Sequence, residues 1–107
     1  MGTLVRFEKR PALLRCSGDE DRTTQSLRRR ALSQALSAPT DLTVDLSELG
    51  FADTSLMLDL MMVASRLRQA GRAMRLYGAQ PQIQRLIELV GLHRLAGVTV
   101  VAPAGAL

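Results

Sequence analysis

The run Asp53-Thr54-Ser55 places two hydroxyls directly after a carboxylate, where an apolar strand pattern gives way to a helical one. A small polar residue ahead of an apolar helical repeat is a helix-start signal, and Asp53 is assigned as the N-cap, accepting the orphan N–H groups of the first turn. The stripe Leu56, Leu60, Val63 and Leu67 defines the inner side of that helix. At roughly 100° per residue, Ser55 falls on the outer side, near Leu58, Asp59 and Met62, with its hydroxyl accessible. A phosphoryl group there would meet the positive end of the helix dipole and free N–H groups, while Asp53 and Asp59 would repel it. Such a modification changes the local field without unfolding anything. Thr54 and Ser55 can equally be capping residues and nothing more.

Other reactive side chains are few. His93 is the one histidine and lies in a turn with no second histidine beside it, so a metal site or a Cys–His pair is not expected. Cys16, the one cysteine, falls in an apolar strand pattern and reads as a buried structural thiol. Asp19, Glu20, Asp21 and Asp53 could converge at the carboxyl edge of a sheet and hold Mg²⁺. Neither a G-x-x-x-x-G-K nor a G-x-G-x-x-G phosphate loop supports that idea. No catalytic residue, metal or cofactor is assigned, although a small enzyme or nucleotide-binding domain using the acidic edge stays open.

The elements that position these residues follow from periodicity. Leu42, Val44 and Leu46 alternate with Thr43, Asp45 and Ser47 as a strand, and Gly50 is expected to break it. Upstream, Leu4, Val5 and Phe7 suggest a first strand, and Ala12 to Cys16 a second, paired as a hairpin with Arg10-Pro11 near the turn. Gly18-Asp19-Glu20-Asp21 reads as an acidic turn before a helix over about Gln25 to Ser37, with Leu27, Ala31, Ala35 and Leu36 on its apolar side. Gly71 closes the central helix, Ala73 to Gly78 is a short strand, and Pro81 opens a helix striped by Ile83, Leu86, Ile87 and Val90. Gly91 stops it, Val98 to Val101 is a last strand, and a frayed tail is expected from about 102. The order ββαβαβαβ implies an α/β fold, because right-handed crossovers make neighbouring strands parallel. The expectation is a single domain over 1–107, with a mixed, mostly parallel sheet of about four to five strands and three to four helices.

The composition agrees: 107 residues, 47% apolar and 22% charged, describe one folded domain with a modest core of Leu, Val, Ala and Met. A single cysteine and no N-terminal apolar run before Arg6, Glu8, Lys9 and Arg10 point to a cytoplasmic protein, and no stretch approaches the roughly 20 apolar residues of a membrane helix. The net charge of +4 raises the question of nucleic acid. The only basic run, Arg28-Arg29-Arg30, fans around its helix without interleaved aromatics, so it reads as a solvated surface, with an acidic protein partner as a secondary use.

Four ordered segments resemble one family. Val44 to Ser55, VDLSELGFADTS, resembles the core of STAS domains, specifically bacterial anti-sigma factor antagonists, which show an apolar strand ending in D-L-S and then aromatic-x-D-[ST]-S-G-L. Gly18 to Asp21 looks like the family's G-E-x-D turn, Gly71 to Leu76 its a-G-x-x-l-x-L segment, and Ile83 to Leu95 its v-x-r-v-L-e-l-t-G-l-x-r-l segment. The resemblance implies a STAS fold and a partner switch. An antagonist with a free serine binds an anti-sigma factor, often a serine kinase, and so releases a sigma factor. The kinase phosphorylates the serine and the complex separates; a phosphatase restores it.

By motif position the phosphoacceptor would be Ser55, with Thr54 the alternative, and Asp21 would lie near the same surface. Leu56 stands where the family has glycine, adding bulk at the rim of the site, and Met57 stands where it has leucine. Leu58 and Met62 form an apolar pair beside Ser55 that Met61 would extend, suited to docking a partner unless a neighbouring helix or a second copy covers it. The expected partner-binding set is thus Asp21, Asp53, Thr54, Ser55, Leu56, Leu58, Asp59 and Met62. No nucleic acid or membrane insertion is expected, and a homodimer is compatible. The alternative, prompted by Leu56, is a STAS subunit docked constitutively on a transporter ATPase or in a signalling complex, without phosphorylation.

Overall fold

The alternation seen in the central strand is realised as one-sided burial. In the computed structural model, which describes residues 4–8, 12–19 and 25–101, strand β3 spans Leu42–Phe51. Leu42, Val44 and Leu46 are fully buried while Thr43 and Asp45 keep contact with solvent. The same phase recurs in β2 (Leu13–Asp19) at Leu14 and Cys16, and in β4 (Met74–Tyr77) at Met74 and Leu76.

Strand β1 (Leu4–Glu8) pairs antiparallel with β2, and β5 (Val98–Val101) completes a five-stranded sheet in sequence order, β1-β2-β3-β4-β5. Every other pairing is parallel. Strands added one after another in one direction, each by a right-handed crossover, put all their helices on one face. The helices are α1 (Gln25–Ser37), α2 (Thr54–Gln69) and α3 (Pro81–Val90), followed by a 3₁₀ turn at Leu92–Arg94. The chain is therefore two layers. One sheet face meets helices over the core, and the other carries Arg6, Glu8, Arg15, Asp45 and Arg75.

Helix ends match their sequence signals. Gly71 (φ 74°) follows α2, with Gly71 N–H donating to Arg68 O and Arg72 N–H to Leu67 O, the two bonds of a Schellman ending. Pro81 opens α3 and Gly91 (φ 82°) ends it.

Two expectations fail in the strands. Gly50 does not break β3, which continues to Phe51 in extended conformation. The pairing of β2 with β3 instead slips between Arg15 and Ser17, where Asp45 gives way to Glu48 as partner. This bulge reverses the alternation: Ser47 and Glu48 are both exposed, and Leu49 returns to the core. Nor do Gly18 and Asp19 form a turn. They stay in β2, with Gly18 at φ 78° absorbing a second slip. Glu20 and Asp21, the tail from 102 and the Leu27 side chain lie outside what is described.

Candidate functional site

Asp53 holds its extended backbone (φ −89°, ψ 173°) one residue before α2. Its Oδ1 accepts from Ser55 N–H at 3.0 Å and Leu56 N–H at 3.4 Å, and also from the Ser55 hydroxyl. The Ser55 hydroxyl bond is the main reason that the Asp53 carboxyl is held below its ordinary value of 3.8. Burial opposes this, and the two backbone donors and Arg28 reinforce it. The carboxylate is thus a cap and a hydroxyl acceptor, and a weak base.

Arg28 completes the cluster from the neighbouring helix. Its run reads in the sequence as a solvated basic surface, yet Arg28 is only 3% exposed. Its Nη2 donates to Ser55 Oγ at 3.2 Å and its Nε to Asp59 Oδ2 at 3.0 Å. Arg29 and Arg30 are exposed, as the fan around a helix requires. The distinction was legible: Arg28 is in phase with the buried Ala31, Leu32 and Ala35 at i+3, i+4 and i+7, and its two neighbours are not. A planar fork with a fixed charge suits this position, because it bonds a hydroxyl and a carboxylate at once.

Ser55 is half-buried and Thr54 exposed. Beside Ser55 a cleft of about 360 Å³ runs between α1 and α2, lined by Arg28, Leu32, Leu36, Ser55, Met62 and Val63 among others. Leu58 and Met62, four residues apart, are 54% and 47% exposed. No neighbouring helix covers them among the described residues. Met61 is half-buried and packs against the core, so it does not extend that pair.

Leu56 is displaced from its expected place. The family motif puts it at the rim, but it is fully buried, as is Met57 beside it. The first turn of α2 lies over the core, so both side chains fill space beneath the helix rather than flank Ser55. Asp53, Thr54, Ser55, Leu58, Asp59 and Met62 thus share one surface, Leu56 lies under it, and Asp21 is outside the described residues.

Phe51 is a surface residue that sequence reasoning passed over. It is 59% exposed and borders, with Ala52, Ile83, Leu86 and Leu89, a small apolar cleft against α3. Phe51 ends β3 two residues beyond the buried Leu49, opposite Asp19 after the second register slip, and its ring is left largely in water.

The remaining reactive side chains are Cys16 and His93. Cys16 is fully buried, and burial, with Asp45 nearby, pushes its thiol up to about 12, so no thiolate is available near neutral pH. His93 is half-buried in the 3₁₀ turn. Among the described residues no three His, Cys, Asp or Glu side chains come together to hold a metal ion, and no helix is long and apolar enough to cross a membrane.

A five-stranded mixed sheet with all helices on one face, and a hydroxyl at the start of the second helix, defines a class of small α/β domains. The sequence family described as "Mlab, STAS domain" matches residues 3–101, and the chain belongs to this STAS family. Among solved structures, that of the anti-sigma factor antagonist SpoIIAA in its unphosphorylated form superposes with a TM-score of 0.71. It is 17% identical, and the alignment covers 94% of this chain and 88% of that one, which establishes a shared fold. No curated protein sequence matches the chain.

Proposed function

We propose that this STAS domain is a cytoplasmic anti-sigma factor antagonist whose binding surface is switched at Ser55. In the unmodified state the surface of Thr54, Ser55, Leu58, Asp59 and Met62 docks an anti-sigma factor of the serine-kinase type, and a sigma factor is released. The kinase then moves the terminal phosphoryl group of a nucleoside triphosphate onto Ser55 Oγ, the hydroxyl proton leaving to a base on the kinase and the diphosphate departing. A phosphatase returns the free hydroxyl by hydrolysis. The domain itself performs no catalysis.

The observation that carries this reading is the placement of a half-buried serine hydroxyl next to an exposed apolar pair. A phosphoryl group adds about −1.5 to −2 charges at neutral pH, and an apolar interface that must desolvate it is disrupted. The test is titration of the host's kinase-type anti-sigma factors against the unmodified and Ser55-phosphorylated domain. Unmodified protein binds one of them, and phosphorylation weakens that complex at least a hundredfold. Equal affinity for both forms contradicts the switch.

A second reading is favoured by two observations. Leu56, in the place of the family's glycine, is a core residue, and the Ser55 hydroxyl is held between Asp53 and Arg28. Both suit a STAS subunit docked permanently on a transporter ATPase or in a signalling complex. That reading predicts a partner whose affinity is the same for Ser55→Ala and wild type, with no phosphate at Ser55 in the cell.

A further inference from the structure

Resting on the reading of Ser55 as a phosphoacceptor, we propose that Arg28 is the residue that receives the phosphoryl group, exchanging its Asp59 partner for it. In the unmodified chain the guanidinium already touches Ser55 Oγ and Asp59 Oδ2, at 3.2 and 3.0 Å. A phosphoryl oxygen on Oγ therefore comes within hydrogen-bonding reach of the same fork without backbone movement.

Which partner yields is decided by burial. The Arg28 side chain is 4% exposed and cannot follow Asp59 outward, whereas the Asp59 side chain is 34% exposed and can turn into water. Charge pushes the same way. Among the described residues the charged groups around Ser55 Oγ are Asp53 and Asp59 on α2 and Arg28 on α1, with the exposed Arg29 lining the same cleft. Before modification Arg28 pairs with Asp59 and also helps to draw the Asp53 carboxyl down. Afterwards a group of about −1.5 to −2 competes for it, and a doubly charged phosphate is the stronger, bidentate acceptor. Arginine is suited to the exchange because its fork bonds a carboxylate and a phosphate with the same geometry.

The exchange is non-covalent and has a consequence at the surface. Asp59 shares the cleft with Met62, so its released carboxylate lies beside the apolar pair. Phosphorylation then delivers two charged groups to the docking surface, the phosphoryl group at its edge and Asp59 within it.

The test uses full-length protein carrying phosphoserine genetically encoded at Ser55, so no kinase is needed. The Arg28 Nε–H resonance reports which acceptor holds the guanidinium. It is expected to move on phosphorylation, and to reach the same position in phosphorylated wild type and phosphorylated Asp59→Asn, since both leave Arg28 on the phosphate. By ³¹P titration, Arg28→Gln raises the second pKa of the phosphoryl group by about one unit relative to wild type. An Arg28 resonance identical in modified and unmodified protein overturns the proposal, as does a phosphate pKa indifferent to Arg28→Gln. If Arg28→Gln does not fold, the resonance in the otherwise unaltered chain decides. An unmoved Arg28 in a protein that is phosphorylated in its host refutes this exchange alone. A host protein never phosphorylated refutes the functional reading and leaves the exchange standing as chemistry.

Discussion

Leu56 is where the family pattern and the packing of this chain part company. The family's glycine would leave a void beneath the first turn of α2, because Leu56 fills the core there without exposure. Leu56→Gly is therefore expected to lower stability by about 4 kcal/mol, the combined cost of a core cavity and of glycine within a helix. Urea denaturation measures it, and a loss below about 1 kcal/mol would mean that the site collapses onto the gap. Asp53 makes a different demand. Its carboxyl is held low in the folded chain, so its contribution to stability is complete above the unfolded value of 3.8 and disappears as the pH falls through the folded one. Asp53→Asn, still a competent cap, should lose at pH 7 only what the carboxylate charge adds, and by the same amount flatten the acid limb of a Tm-against-pH curve. Asp53→Ala should cost about 1 kcal/mol at pH 7, because the cap is lost altogether.

At the scale of elements, the turns discriminate between backbone conformation and space. Gly71 and Gly78 both have positive φ, but a Cβ at Gly71 would meet nothing while one at Gly78 would lie 2.9 Å from Ser47 Cβ. Gly71→Ala is expected to cost about 1 kcal/mol for the left-handed backbone alone. Gly78→Ala should cost clearly more, since the β3 backbone at Ser47 must also shift; equal losses by thermal denaturation would contradict that. The order of elements, the Asp53 cap, the Gly71 and Gly91 endings and the Pro81 start were legible in the sequence, because each rests on local chemistry. The bulge at Ser47-Glu48 was not, since a register slip depends on the neighbouring strand, and Gly50, expected to break β3, lies within it. Arg28 was legible in phase but hidden by its neighbours. Three consecutive arginines look alike as a charge run, and only position on the α1 stripe separates the buried one. Leu56 followed the stripe correctly as a core residue, and the family motif pulled it to the rim.

For the whole molecule, the two-layer plan leaves helix α2 with one face in the core and the other in water, flanked by α1 through the Arg28 cluster. This arrangement lets a surface event at Ser55 be felt without disturbing the sheet, since Leu56, Leu60, Val63 and Leu67 remain buried beneath it. Replacing both exposed residues, Leu58→Ser and Met62→Ser, should accordingly leave circular dichroism and Tm nearly unchanged while abolishing capture of the partner. Retained binding would move the docking surface elsewhere. The central claim concerns Ser55, and the intact mass of the protein from its native host, with the modified residue mapped, tests it most directly. The account predicts a population heavier by one phosphoryl group, located on Ser55 and absent from Ser55→Ala. An unmodified mass under every growth condition would contradict the switch and leave a constitutively docked STAS subunit in its place.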